Sequence, residues 1–366
     1  MSTAEHKNKK ARVIAFYLPQ FHPIPENDDW WGRGFTEWTN VTKARPLFDG
    51  HEQPHLPADL GYYDLRLPES RIAQAEMAAR YGVEGFCYWH YWFAGRRLLE
   101  RPFNEVLASG EPDFPFCLAW ANESWTGVWN NQPNRMLMEQ TYPGGADDRA
   151  HFDYLLTAFS DRRYITVDGK PLLFIYKPLK LLDAKRRLDQ WREWAIQAGL
   201  KGLYILGNNQ LDFEDAEALG LDGAVVSTLG VITTKNQILN KAKWLFWGIS
   251  KKIDIGGPRT IEYAEAIKHL IPDLSKFNFD AYPCAYPNWD HTPRSGRKGL
   301  VLTGSTPEFF EQHMFDAVNS VSSRDDQHRI VFLKSWNEWA EGNYMEPDTR
   351  WGTAYLEALQ RVLKDR

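Results

Sequence analysis

The chain has 366 residues, long for one ordinary domain but within the range of a single α/β barrel with insertions. Hydrophobic residues at 43% and charged residues at 25% allow a core of normal size, and a formal charge of -5 is too mild to point to a nucleic-acid partner. The 16 Trp, 16 Tyr and 20 Phe gather near His, Asn and Glu more than near Leu and Val, which favours a ligand-lined cavity over a purely apolar core.

In chain order, residues 1–10 read as a disordered polar tail and 11–366 as one domain. A first strand is predicted over 12–18, stopped by Pro19, and a long loop runs to Tyr63. Helical spacing behind Pro68 and Glu69 predicts a helix over 68–81, ended by Gly82. Strands follow at 83–89, 115–120, 171–176, 203–207, 222–226, 279–286 and 329–335. Helices are expected between them at 102–109, 149–159, 184–198, 213–219, 260–270 and 307–321, with a last one at 353–364. Short apolar strands alternating with helices predict a (β/α)8 TIM barrel with long βα loops. A doubly wound open sheet would carry a glycine-rich phosphate loop after the first strand, and Leu18-Pro19-Gln20 is nothing like one.

The odd count of three cysteines has no framework or metal spacing, so Cys87, Cys117 and Cys284 read as buried free thiols of a reducing compartment. No cleavable signal follows the basic start, and no apolar run reaches the length of a membrane span, so a cytoplasmic protein is expected. No metal-type His/Asp spacing and no Asp-x-Asp motif occurs, and no metal or other cofactor is expected.

The chemistry concentrates at 331–347, where an apolar run breaks into Trp336-Asn337-Glu338-Trp339 and a second acid, Glu341, follows. Two carboxylates in different environments can hold one proton between them, and flat indole faces suit a sugar. Asn337 could hydrogen-bond a sugar hydroxyl or one of the acids. Further candidates for sugar contact follow other strands: Trp38 with Glu37, Tyr88 with His90 and Tyr91, Trp120 with Asn122, Glu123 and Trp125, Tyr176, and Asn208. Asp290 and His291 are candidates for the far rim. Residues 235–252 mix five Lys with Trp244, Phe246 and Trp247, a composition that fits either a lid or a contact with an anionic membrane or a lipid-linked glycan.

The segment WNEWAEGNYMEP resembles the catalytic segment of glycoside hydrolase family 99, the endo-α-mannosidases. It is closer still to the WbsX-type proteins of cell-surface polysaccharide clusters. The stretches AFYLPQFHPIPENDDWWGRGFTEWTNV, LGYYDLRLPE, GVEGFCYWHYWF and LAWANESW carry the same resemblance, in order, over most of the barrel. It implies a (β/α)8 barrel and retention at the anomeric carbon, through attack by the sugar's own 2-hydroxyl to give an epoxide-like intermediate. Glu338 then matches the base that takes the 2-hydroxyl proton. Glu341 matches the acid/base that protonates the leaving oxygen and then activates the acceptor. Asn343-Tyr344-Met345 stands where the mannosidase motif has Thr-Gln-Ile, a departure that bears on mannose preference and leaves the paired acids in place. The expectation is an enzyme acting on an oligosaccharide or polysaccharide, either cleaving it or, as a glycosyltransferase, building O-antigen or capsule. The alternative from another class is a non-catalytic glycan-binding barrel.

Overall fold

The computed structural model describes residues 10–127, 132–230, 232 and 257–364. Eight strands form its centre: β1 (Arg12–Tyr17), β2 (Gly85–Phe93), β3 (Phe116–Trp120), β4 (Lys170–Ile175), β5 (Tyr204–Asn209), β6 (Gly223–Val226), β7 (Asp280–Ala285) and β8 (Ile330–Leu333). Each pairs in parallel with its neighbour in sequence, and β1 pairs with both β2 and β8. Ile14 lies opposite Gly85 on one side and Phe332 on the other, so the sheet closes on itself. The result is the expected (β/α)8 barrel. Closure needs close strand approach: a Cβ on Gly223 would sit 2.2 Å from the Asp280 carbonyl oxygen.

The strands are apolar on both faces because rings fill the barrel inside and helices cover it outside. Inside, Phe16 stacks on Trp89 with centroids 5.0 Å apart and meets Phe174 and Phe332 at 5.0 and 5.6 Å. Outside run α3 (Pro68–Arg80), α4 (Arg101–Ser109), α5 (Ala146–Phe159), α6 (Ala184–Gln197), α7 (Tyr263–Leu270), α9 (Pro307–Asn319) and α10 (Ala354–Leu363). Proline opens α3, α4 and α9 in the first turn, where its missing N–H costs nothing. The Thr306 side chain caps α9 by accepting from the Phe309 amide.

Several expectations need correction. The loop after β1 carries two short helices, α1 (Pro25–Trp31) and α2 (Glu37–Lys43), the second closed by a Thr36/Thr39 capping box. The β2 strand runs on to Phe93 because it turns back to pair with Arg96–Leu98. The helix expected at 213–219 is only a single 3-10 turn, Glu217–Leu219. A short helix, α8 (Thr292–Ser295), follows β7 and was not foreseen. Residues 1–9 of the predicted tail and the whole of 235–252 lie outside the described residues. No helix among the described residues is long and apolar enough to cross a membrane.

Candidate active site

The site begins where β8 stops. Asn337–Glu338 pairs antiparallel with Asn343–Tyr344, and the chain between them turns through Trp339–Glu341 and Gly342. Gly342 is required there: its φ is +63°, and a Cβ would lie 2.7 Å from the Asp290 amide nitrogen. This tight return brings Glu338 and Glu341 to one side of the hairpin.

The other side is pinned. Trp336 is buried against Phe86, centroids 5.3 Å apart, and Trp339 stacks on Tyr344 at 3.8 Å. Glu346 accepts hydrogen bonds from Trp339 Nε1, Tyr63 OH and Gln74 Nε2 at 2.6, 2.8 and 2.6 Å. Burial still pushes its carboxyl up to about 7. Asn337 is fully buried and clamps β1 to this hairpin: its Oδ1 accepts from the Leu18 amide at 2.7 Å and its Nδ2 donates to the Leu18 carbonyl at 3.0 Å. Asn337→Ala should therefore act on stability. Two buried backbone groups lose partners, which costs about 2–4 kcal/mol and should lower the denaturant midpoint with no change in slope.

Glu338 and Glu341 both border a cavity of about 970 Å³ at the C-terminal ends of the strands. Between them stands Arg294, carried by α8. Its Nη2 donates to Glu338 at 3.1 Å, its Nη1 to Glu341 at 2.5 Å and its Nε to Glu37 at 2.8 Å. Glu37, from α2, is fully buried and also accepts from Gln20 Nε2 at 2.9 Å. One guanidinium thus holds three carboxylates from two loops. Burial, then the charge of Glu341, pushes the Glu338 carboxyl up to about 7. Burial acts on Glu341 in the same direction, but Arg294 and then Lys334 outweigh it and hold that carboxyl below its usual range. The pair is therefore split in proton affinity, with Glu338 the stronger base and Glu341 the stronger acid.

Of the other candidates from the sequence, Trp125, Asn122 and Tyr176 border the same cavity. Trp125 is half-buried, 5.0 Å from the Tyr91 ring and 5.7 Å from Trp30. Asn122 has its amide committed to the protein: Nδ2 donates to Tyr142 OH and the Lys177 carbonyl, and Oδ1 accepts from the Lys177 amide. Glu123, Tyr91 and His291 also line the cavity.

Trp38, Tyr88, His90, Trp120, Asn208, Trp336 and Asn337 do not border it. The reason for Tyr88, His90 and Trp120 is strand parity, since alternate side chains of a barrel strand face opposite ways. Trp89 and Tyr91 point in, so Tyr88 and His90 point out, against Phe103 and against His151 and Tyr154. Trp120, in register with His90, packs on His151 and Trp191. Trp38 packs on Phe21 and Trp339 and donates to the Tyr63 carbonyl. Asp290 faces away too, accepting from Gln53 and Thr292 and pairing with His51, beside a second cavity of about 510 Å³ behind Gly342. Among the lining residues that sequence reasoning missed are Arg294, Lys334, Trp89 and Trp289. Parity along β2 could have found Trp89; no local pattern marks Arg294. No group of His, Cys, Asp and Glu among the described residues is placed to hold a metal ion.

Residues 13–359 match the Glycosyltransferase WbsX family. The chain belongs to it. Two curated relatives, each an uncharacterized protein WxcX of a strain of Xanthomonas campestris pv. campestris, are 36% identical to this chain. One aligns over 99% of this chain and 51% of its own length, the other over 96% and 50%. The chain therefore spans about half the length of the curated relatives it matches. Among solved structures, a glycoside hydrolase-like protein superposes with a TM-score of 0.58 at 18% identity, covering 98% of this chain and 95% of the other. A GH99 endo-α-mannosidase from Bacteroides thetaiotaomicron superposes with a TM-score of 0.56 at 15% identity, covering 96% and 95%. At such identities the likeness is one of fold.

Proposed function

We propose that this WbsX-family barrel is a carbohydrate-active enzyme that cleaves or transfers a glycosidic bond of a surface polysaccharide, or of its precursor, with retention. The observation that carries this is the pair Glu338 and Glu341: two carboxyls on one cavity, tied to one guanidinium, with unequal hold on a proton. The Glu338 carboxylate takes the proton of the sugar's 2-hydroxyl as that oxygen attacks the anomeric carbon. Glu341 delivers its proton to the departing oxygen, then takes one from the water or acceptor hydroxyl that attacks the anomeric carbon. The bond from that carbon to the 2-oxygen breaks as this happens, and Glu338 returns its proton to the 2-oxygen. At rest the proton of the pair sits on Glu338 and Glu341 is ionised, the reverse of the distribution these roles need, so the proton must change places when substrate is engaged. Glu341 accepts its proton only when Arg294 loosens its hold, so the working form is the pair with a single proton. Trp125 and Tyr176 offer faces for the sugar rings.

The catalytic efficiency should then trace a bell in pH whose limbs belong to the pair. Losing the single proton takes the enzyme out of its working form, so kcat/KM falls as pH rises through about 7, the value to which Glu338 is pushed. Adding a second proton neutralises the base, so kcat/KM also falls on acidification. A pH profile of kcat/KM checks both limbs.

Transfer to a sugar acceptor is the second reading, favoured by the description of the WbsX family as glycosyltransferases. The buried free thiols of Cys87, Cys117 and Cys284 favour a reducing compartment such as the cytoplasm, where polysaccharide precursors are assembled. The test is to incubate the purified protein with surface polysaccharides and oligosaccharides and follow the anomeric proton signals. New reducing ends or new linkages of unchanged anomeric configuration support the proposal. Saturable glycan binding with no product, unaltered in Glu338→Gln, supports a binding module instead.

A further inference from the structure

Of the cations bordering the cavity, Lys180 is exposed and pairs with Glu123 at 3.9 Å, whereas Arg294 and Lys334 are set deeper and are used differently. Arg294 is held by three carboxylates. Lys334, the first residue after β8, borders the same cavity, yet its Nζ makes no hydrogen bond or ion pair with any described residue. It lies 5.9 Å from the ring centroid of Trp89 and 5.5 Å from that of Trp289. Two indole faces attract an ammonium without satisfying its three N–H donors. Burial works against its charge, but the field of Glu341 leads the groups that restore it, so Lys334 is an ammonium at neutral pH. Beside it the Tyr176 hydroxyl also borders the cavity and makes no hydrogen bond with a described residue. The cavity therefore presents acids already occupied by Arg294 and, within electrostatic reach of them, a cationic donor and a hydroxyl donor with their bonds unspent.

Lys334 is half-buried and opens onto the cavity, so its spare donors face the space a ligand would fill, and an anion placed there gains a charge-assisted hydrogen bond. We infer that the sugar bound at this site carries an anionic substituent, a carboxylate or a phosphate, which is received by Lys334 with the Tyr176 hydroxyl beside it. This deepens the proposed function and rests on it: the same site would take a uronic acid or a phosphorylated sugar in preference to its neutral counterpart. Arg294 cannot serve that purpose without abandoning the carboxylates it holds.

The test is calorimetric titration with matched probes: glucose, glucuronate and glucose 1-phosphate, and the same three forms of galactose. The charged member of at least one set should bind about tenfold or more tightly than its neutral partner, the worth of one charge-assisted hydrogen bond. The preference should vanish in Lys334→Gln, persist in Lys334→Arg and weaken with added salt. Whether carboxylate or phosphate is preferred identifies the source of the charge. Melting curves of both variants establish that they fold, and the Arg variant keeps the test valid if the Gln variant does not. If neutral and charged partners bind equally, or the preference survives Lys334→Gln, the inference is overturned and the glycan site stands. A Lys334→Gln variant that shifts only the pH profile also overturns it, because Lys334 is then a distant counter-charge. Absence of binding by every sugar, with turnover unchanged in Glu338→Gln, overturns both.

Discussion

Glu341→Gln is expected to lower turnover of the polysaccharide substrate by about 10³-fold, the range for loss of a positioned proton donor and acceptor, while sugar binding and the melting curve stay close to those of the parent. The fold should tolerate the change because glutamine keeps an oxygen for Arg294, which approaches Glu341 at 2.5 Å. What is lost is the transferable proton. A second consequence follows from charge. Glu341 helps to raise Glu338, so its removal lowers the Glu338 pKa. With no second carboxyl to carry a proton, the alkaline limb disappears, and residual activity rises with pH through a value below about 7 to a plateau. Glu338→Gln should cost a comparable factor. The double variant should be little worse than either single one, because two groups acting in the same step fail together. Rates on the substrate found by product screening, with calorimetry for binding, check each part.

Arg294→Met should be the most damaging change for stability and activity together. Three carboxylates with side-chain exposures of 0%, 7% and 13% would lose their shared cation. Removing one partner of a buried ion pair typically costs about 3–5 kcal/mol, so thermal unfolding should shift down clearly. In folded protein the loss has a direction that a merely structural residue would not give. Arg294 lowers both Glu338 and Glu341, so its removal raises both, and the remaining activity should peak at higher pH than in the parent. Arg294→Lys keeps the charge but not the three-way fork, and should fall between parent and Met variant in both readouts. A pH profile that drops in height without moving would contradict the electrostatic role.

The sequence made the barrel legible because its strands are short, apolar on both faces and separated by helices with clear proline and glycine boundaries. The paired acids were legible for a local reason: Glu338 and Glu341 share one short segment in which the turn residue, Gly342, is also present. What failed was side-chain direction. Placing aromatic and polar residues just after a strand does not say which face they leave from, and one residue of offset sends His90 outward while Trp89 and Tyr91 point in. Asn337 looked like a sugar ligand and is a clamp on Leu18, because a buried amide at the barrel seam must satisfy the backbone it meets. Arg294 was invisible for a different reason. Its partners Glu37 and Glu338 lie 257 and 44 residues away along the chain, and only closure of the barrel brings α2, α8 and the hairpin after β8 together.

A crystal structure of the Glu341→Gln variant with an oligosaccharide substrate tests the central claim most directly. The account predicts a sugar ring in the cavity between Trp125 and the hairpin after β8. Its 2-hydroxyl should lie about 2.6–3.2 Å from a Glu338 oxygen and its glycosidic oxygen within the same reach of residue 341. A sugar seated instead in the smaller cavity behind Gly342, or held in the larger one with no hydroxyl near Glu338 and Arg294 still closed on both positions, would contradict it.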